Sequence, residues 1–222
     1  MIPDPVAFVC AETRPRPVPL VPEITLRVAD EAVPLWSKTE EELAEAGLPP
    51  PFWAFAWAGG QALARWLLDN PEAVRGRSVL DLGAGSGLVA IAAMKAGAAS
   101  VLAADIDRFA IAAIGVNAQA NGVAVQAIGD DLIGGPRPPV DLVSVGDLFY
   151  DRDLAARLLA WLDGFLDDGA SVLIGDPGRY YLPKNRLERL DSYAVPVTRD
   201  LEDAEIKQTT VWSLLPNGSA PD

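Results

Sequence analysis

From residue 78 to residue 174, short and almost wholly apolar runs alternate with longer stretches whose apolar positions recur every three or four residues. The short runs predict strands at 79–82, 101–105, 123–128, 141–145 and 171–174. The stretches between them predict helices at 88–95, 108–119 and 154–166; in the last, Leu154, Leu158, Leu159, Leu162 and Phe165 form one stripe. Apolar strands separated by helices imply a parallel sheet covered on both faces. After Pro183 the rhythm changes: a short helix at 185–190 precedes strand-like runs at 192–197 and 209–214, joined by an acidic loop at 200–205. Two late strands with no long helix between them predict an antiparallel pair at the sheet edge. The fold class is α/β, a seven-stranded sheet that is mostly parallel, with an antiparallel C-terminal pair and helices on both faces.

The first 23 residues read differently. Pro3, Pro5, Pro15, Pro17, Pro19 and Pro22 predict an extended surface arm with little regular structure, because proline lacks an N–H and fixes φ. A short strand is expected at 24–28 and a short acidic helix at 39–46, where Thr39 and Glu42 are spaced as a capping box. Gly47 and the prolines at 49–51 end that helix. An aromatic run, Phe52-Trp53-Ala54-Phe55-Ala56-Trp57, leads into a helix with Ala62, Leu63, Trp66 and Leu67 on one face, stopped by Asn70-Pro71. The expected organisation is an arm at 1–50, one domain at 51–216 and a tail at 217–222.

Composition narrows the chemistry. Of 222 residues half are hydrophobic, and 18 basic against 31 acidic side chains leave a net charge of −13. That balance disfavours nucleic acid and anionic membranes as partners. There is no histidine, which removes histidine bases, histidine metal ligands and serine–histidine catalysis. The lone Cys10 supports neither an intrachain disulfide nor a cysteine zinc site, so no metal is expected. No apolar run is long enough to span a bilayer, and the first residues have neither a secretory nor a mitochondrial leader pattern, so a cytoplasmic protein is expected.

What remains is carboxylates, tyrosine, backbone groups and an organic cofactor. The strand–turn–helix run Asp81-Leu82-Gly83-Ala84-Gly85-Ser86-Gly87 offers close backbone approach and a helix N-terminus. Its glycines depart from the G-x-G-x-x-G spacing of dinucleotide sites, and Asp81 suits a cationic amino-acid moiety better than a pyrophosphate. This is the pattern of class I S-adenosylmethionine methyltransferases. Asp105, at the next strand's tip, can accept both ribose hydroxyl protons. Asp130 or Asp131, after the third strand, can accept the adenine amino hydrogen. Asp147 and Tyr150, in Gly146-Asp147-Leu148-Phe149-Tyr150 after the fourth strand, face the same cleft. An oxidoreductase of the nicotinamide class is disfavoured by the third-glycine spacing, by Asp81 and by the short chain.

The run from Pro51 to Leu63 resembles the segment that opens the seven-β-strand protein lysine methyltransferases, and so does Asp147-x-x-Tyr150. Two further blocks, Leu173-Ile174-Gly175-Asp176-Pro177-Gly178-Arg179 and Thr209-Thr210-Val211-Trp212, narrow the resemblance to the lysine methyltransferases of the electron transfer flavoprotein beta subunit. It runs from about Pro50 to Pro216. The resemblance implies a Rossmann-like sheet, S-adenosylmethionine as donor, S-adenosylhomocysteine as product, and a lysine of the flavoprotein beta subunit as acceptor, with ribosomal proteins as further candidates. An alanine-rich, lysine-poor chain suits a bacterial member. For the donor site the expected residues are Trp57, Asp81, Gly83, Ala84, Gly85, Asp105, Ile106, Asp130, Asp131 and Gly146. For the acceptor they are Trp53, Phe149, Asp176 and Arg179, with Asp147 and Tyr150 at the reacting amine. A small-molecule methyltransferase is disfavoured by the aromatic run and Asp-x-x-Tyr; a non-catalytic binding module is disfavoured by the intact Asp81, Asp105 and Asp147.

Overall fold

The computed structural model describes residues 4–29, 50–197 and 205–218. The helix expected at 39–46 and most of the acidic loop at 200–205 lie outside the described residues. Seven strands form one sheet: β3 (Ser78–Leu82), β4 (Ser100–Ala104), β5 (Gln126–Ile128), β6 (Leu142–Gly146), β7 (Ser171–Asp176), β8 (Leu187–Pro196) and β9 (Ile206–Leu214), in the order β5-β4-β3-β6-β7-β9-β8. β3 to β7 run parallel, while β9 pairs antiparallel with both β7 and β8. The strand order reverses at β3: β4 lies on one side of it and β6 on the other. Such a reversal leaves a crevice at the carboxyl ends of the strands.

Side-chain alternation divides the core between two faces. Val79, Val101, Leu142 and Leu173 pack against Ala62, Leu63 and Leu67 of α2 (Ala58–Asp69) and Val89, Ala90 and Ala93 of α3 (Leu88–Lys95). Leu80, Val143, Val172 and Ile174 face the other way, onto Leu158, Trp161, Leu162 and Phe165 of α5 (Arg152–Asp167). α4 (Arg108–Ala120) covers the first face beside α3, with Ile114 buried in that layer.

Three sequence expectations change. The proline-rich start is not an irregular arm. It forms α1 (Pro5–Glu12) and a hairpin of β1 (Arg14–Pro17) and β2 (Thr25–Val28). The prolines sit where they cost nothing: Pro5 opens a helix capped by the Asp4 side chain, and Pro15 and Pro17 occupy a strand of a two-stranded ribbon, which has only edges. Val9 of α1 packs with Trp53 and Phe109, and Val18, Val21, Ile24 and Leu26 pack on Ala64, Leu88 and Ile91. Second, the helix expected at 185–190 is a single 3₁₀ turn, Lys184–Arg186, followed directly by β8. Pairing along β9, through an irregularity between Arg189 and Asp191, overrides the local helical pattern. Third, the strand expected at 123–128 shortens to Gln126–Ile128, because the Val123 N–H is taken by the Ala118 carbonyl at the end of α4. Among the described residues no helix is long and apolar enough to cross a membrane.

Candidate active site

The crevice at the carboxyl ends of β3, β4 and β6 holds a cavity of about 480 Å³. Its floor is the glycine turn after β3. Gly83 and Gly85 have φ of 64° and 51°, a region that side chains disfavour, so the turn can be tight only with glycine there. The N–H groups of Gly83 and Ala84 donate to the Ala104 carbonyl at 2.8 and 3.1 Å, which ties the turn to β4. Leu148 forms the facing wall, 2.8 Å from where a Cβ at Gly83 would stand.

Asp105 hooks the tip of β4 to the same turn. Its carboxylate accepts from the N–H of Gly85 at 2.8 Å and of Asp107 at 3.0 Å. Burial raises its pKa, against the pull of those backbone donors and of Ile106. Ile106 is exposed on the rim, and Asp130 and Asp131 line the far wall beside Leu132 and Ile133. Arg157, from the second turn of α5, reaches Asp131 at 3.1 Å.

Asp147 sits where three backbone segments crowd together. Gly59 at the start of α2 lies against Gly175 of β7, and a Cβ on either would run into the other's backbone carbonyl. That approach brings the unpaired N–H groups of the first turn of α2 onto Asp147: Oδ2 accepts from Gly59 at 2.5 Å and from Gly60 at 3.2 Å. The Arg179 guanidinium donates to Oδ1 at 2.8 Å and lies 5.9 Å over the Trp57 ring. Asp147 has φ 58°, the left-handed region, and is the sole non-glycine with positive φ among the described residues. Its own N–H donates to the Gly175 carbonyl at 3.0 Å, which helps hold that conformation. Burial pushes its carboxyl up to about 6; Arg179 pulls it down and Asp176 adds to the rise.

An aromatic wall completes the cavity. Trp53 is buried and stacks on Phe109 at 6.2 Å, the Trp57 indole donates to the Phe52 carbonyl at 2.8 Å, and Phe52 meets Tyr150 at 6.0 Å. Tyr150 is about half exposed on the rim, and partial burial, followed by the charges of Asp151 and Asp105, raises its pKa.

One cavity thus gathers Trp53, Trp57, Gly83, Gly85, Asp105, Ile106, Asp130, Asp131, Gly146, Asp147, Tyr150 and Arg179. Four expected residues are elsewhere. Asp81 points down into the layer of α3, where it accepts from Ala90 N–H at 3.0 Å and from the Ser144 hydroxyl at 2.9 Å; burial pushes it up to about 7. It ties β3 to α3 and β6 and does not line the cavity. Ala84 packs against the core under that turn. Phe149 is buried among the α5 contacts, on the opposite side of the chain from its neighbours Asp147 and Tyr150. Asp176 is buried and accepts from the N–H groups of Gly178 and Arg179 at 2.6 Å each, so it shapes a turn. Sequence reasoning missed Leu132, Ile133, Leu148, Leu154 and Arg157. Arg157 could have been found, since it stands one helical turn beyond Leu154 and both line the cavity.

Comparison with known proteins gives this geometry a family. Three relatives bearing the name electron transfer flavoprotein beta subunit lysine methyltransferase align over most of the chain. The Mus musculus protein is 41% identical over 206 residues, 89% of this chain and 78% of its own. The Xenopus laevis protein is 40% identical over 218 residues, 96% and 87%, and the Homo sapiens protein 39% identical over 203 residues, 89% and 76%. The chain belongs to the electron transfer flavoprotein beta subunit lysine methyltransferase family. A family model described as ribosomal protein L11 methyltransferase (PrmA) matches residues 64–143 of this family member, the block that carries the glycine turn and Asp105. Solved structures of similar fold include a ribosomal protein L11 methylase from Lactobacillus delbrueckii subsp. bulgaricus (TM-score 0.52, 24% identity, 74% of this chain and 79% of that one). Another is an RNA methyltransferase from Salinibacter ruber in complex with S-adenosyl-L-homocysteine (TM-score 0.50, 18% identity, 72% and 94%). These likenesses establish a Rossmann-like methyltransferase fold.

Proposed function

We propose that this protein transfers a methyl group from S-adenosylmethionine to lysine side chains of the electron transfer flavoprotein beta subunit. The observation that carries the reading is the meeting of Gly83, Gly85 and Asp105 with Asp147 and Tyr150 in one cavity, in a chain of this family.

The residues present fit the donor. The cavity has the size of a small-molecule site. Asp105 uses one lone pair of each oxygen on backbone donors and keeps others for a ribose diol. Asp130 and Asp131 stand where an exocyclic amine can be met, and Trp53 and Trp57 supply flat apolar walls. The donor supplies a methyl bonded to positive sulfur, already activated for displacement.

The protein's task is alignment and proton management. An ammonium has no lone pair, and a free lysine holds its proton up to about pH 10.4. The aromatic wall desolvates the acceptor and favours its neutral form. With no histidine in the chain, the proton leaves to water. Asp147 orients the amine and stabilises positive charge building on nitrogen, and Tyr150 shapes the channel at the rim.

The test is transfer of tritiated methyl to purified flavoprotein and, separately, to bacterial lysate. A labelled beta subunit, lost in Asp147→Ala while calorimetry still shows donor binding, supports the reading. Label on another band, such as a ribosomal protein, keeps the chemistry and discards the acceptor. Wild-type turnover by Asp147→Ala at saturating donor discards the role of Asp147.

A further inference from the structure

The guanidinium beside Asp147 comes from the loop after β7, and that loop is built to hold it. Asp176 accepts the N–H groups of Gly178 and Arg179 at 2.6 Å each. Gly178 makes the turn at φ 95°, which glycine tolerates. The chain is thereby directed back over the cavity, and the Arg179 side chain, which lines it, ends on Asp147 Oδ1 and above the Trp57 ring.

Resting on the functional reading above, we propose that Arg179 is a positioning residue: it holds Asp147 as an anion of fixed orientation for the acceptor amine, and is not itself part of the acceptor surface. Each Asp147 oxygen is then fixed from a different element. Oδ2 is held by the start of α2 and Oδ1 by the β7 loop, and a lone pair of Oδ1 remains for the acceptor. A carboxylate buried this deeply takes up a proton unless something opposes it. The groups facing it are Arg179, the Gly59 and Gly60 N–H groups and the carboxylate of Asp176, and of these Asp176 pushes toward protonation. A protonated Asp147 cannot stabilise charge growing on nitrogen. Since burial already places its titration near 6 with Arg179 in position, the arginine keeps the group ionised at neutral pH.

Two measurements decide this. In the free protein, the Asp147 carboxyl is followed by ¹³C NMR against pH, with Asp147→Asn to assign the signal. Its midpoint is expected to rise by about one pH unit or more in Arg179→Met and to stay near the wild-type value in Arg179→Lys, which keeps the charge. With donor and acceptor saturating, the transfer rate of Arg179→Met is expected to fall about two- to tenfold at pH 7, as the ionised fraction falls, with the deficit shrinking as pH rises. Arg179→Gln replaces the methionine variant if the latter does not fold. An unchanged midpoint, a deficit independent of pH, or Arg179→Lys as impaired as Arg179→Met overturns the proposal. The titration needs no acceptor, and wild-type methyl transfer alone tests the functional reading, so either can fail without the other.

Discussion

At the scale of single residues, the site depends on atoms that are not there. Gly59, Gly146 and Gly175 let the start of α2 settle onto the ends of β6 and β7, and the amides that hold Asp147 come from that contact. Gly59→Ala would force a methyl against the Gly175 carbonyl and Asp147 Oδ2. Because the obstacle is backbone, relief must come from moving the helix. The expected cost is about 1–3 kcal/mol in chemical denaturation, with methyl transfer falling by more than donor affinity. Wild-type stability and rate in Gly59→Ala would show the contact to be slack. The residue scale also shows what the sequence could reveal about chemistry. Asp105, Asp147 and Tyr150 were legible because each stands at a strand's carboxyl end, where topology decides the direction. Asp81 falls outside the cavity, and the alternation of β3 held that answer. Val79 and Asp81 share one face and Leu80 and Leu82 the other, so the carboxylate turns toward α3 with Val79. Phe149 lies outside for another reason: β6 ends at Gly146, and in the turn that follows Phe149 is directed into the layer of α5 while Asp147, Leu148 and Tyr150 line the cavity.

At the scale of elements, the β–α alternation from 78 to 176 was legible because each strand and helix carries its own period. The parts that were not legible depend on distant partners. The pair β8–β9 was legible, but the first half of β8, read as helix, is strand through its pairing with β9, and the proline-rich start folds because α4 and its C-cap offer asparagines in place of a neighbouring strand. Asn121 accepts from Thr25 N–H at 3.1 Å and donates to the Thr25 carbonyl at 2.7 Å, as a third strand would. Asn117 accepts from Arg27 N–H at 2.8 Å and donates to the Ser86 carbonyl at 2.8 Å. One fully buried amide therefore joins the N-terminal hairpin to the glycine turn. Asn117→Ala leaves a half-buried donor on β2 and a buried acceptor at Ser86 unsatisfied. A loss of about 1–3 kcal/mol per stranded group is expected, together with weaker donor binding by calorimetry. Lost stability with unchanged donor affinity would show that the hairpin and the turn are not coupled.

At the scale of the whole molecule, several buried carboxylates lean the same way. Burial raises Asp81 to about 7 and Asp107 and Asp147 to about 6, and it raises Asp105 and Asp176 as well. A carboxyl raised in the folded state holds a proton that the unfolded chain has already released, so its stabilising contribution is full at acid pH and is lost as pH rises through the folded value. Exposed Asp141 and Glu23, lowered by their donors, act in the opposite sense. Melting temperature is expected to decline between pH 5 and pH 8, and Asp81→Asn should flatten the decline, since the Ser144 hydroxyl can reverse to accept from an amide. Parallel curves for wild type and Asp81→Asn would place the slope elsewhere. The strand order has a further consequence, in the order of events as the chain is made. β9 lies between β7 and β8 although it is the last of the three to be synthesised. Until residues 206–214 arrive, β7 has an open edge and β8 has no strand to pair with. Gly175 and Asp176 pair with Val211 and Thr210, so the loop carrying Arg179 is anchored by the same late arrival. A nascent chain can shape the glycine turn early, but the clamp on Asp147 is set only after residues 206–214 have been made.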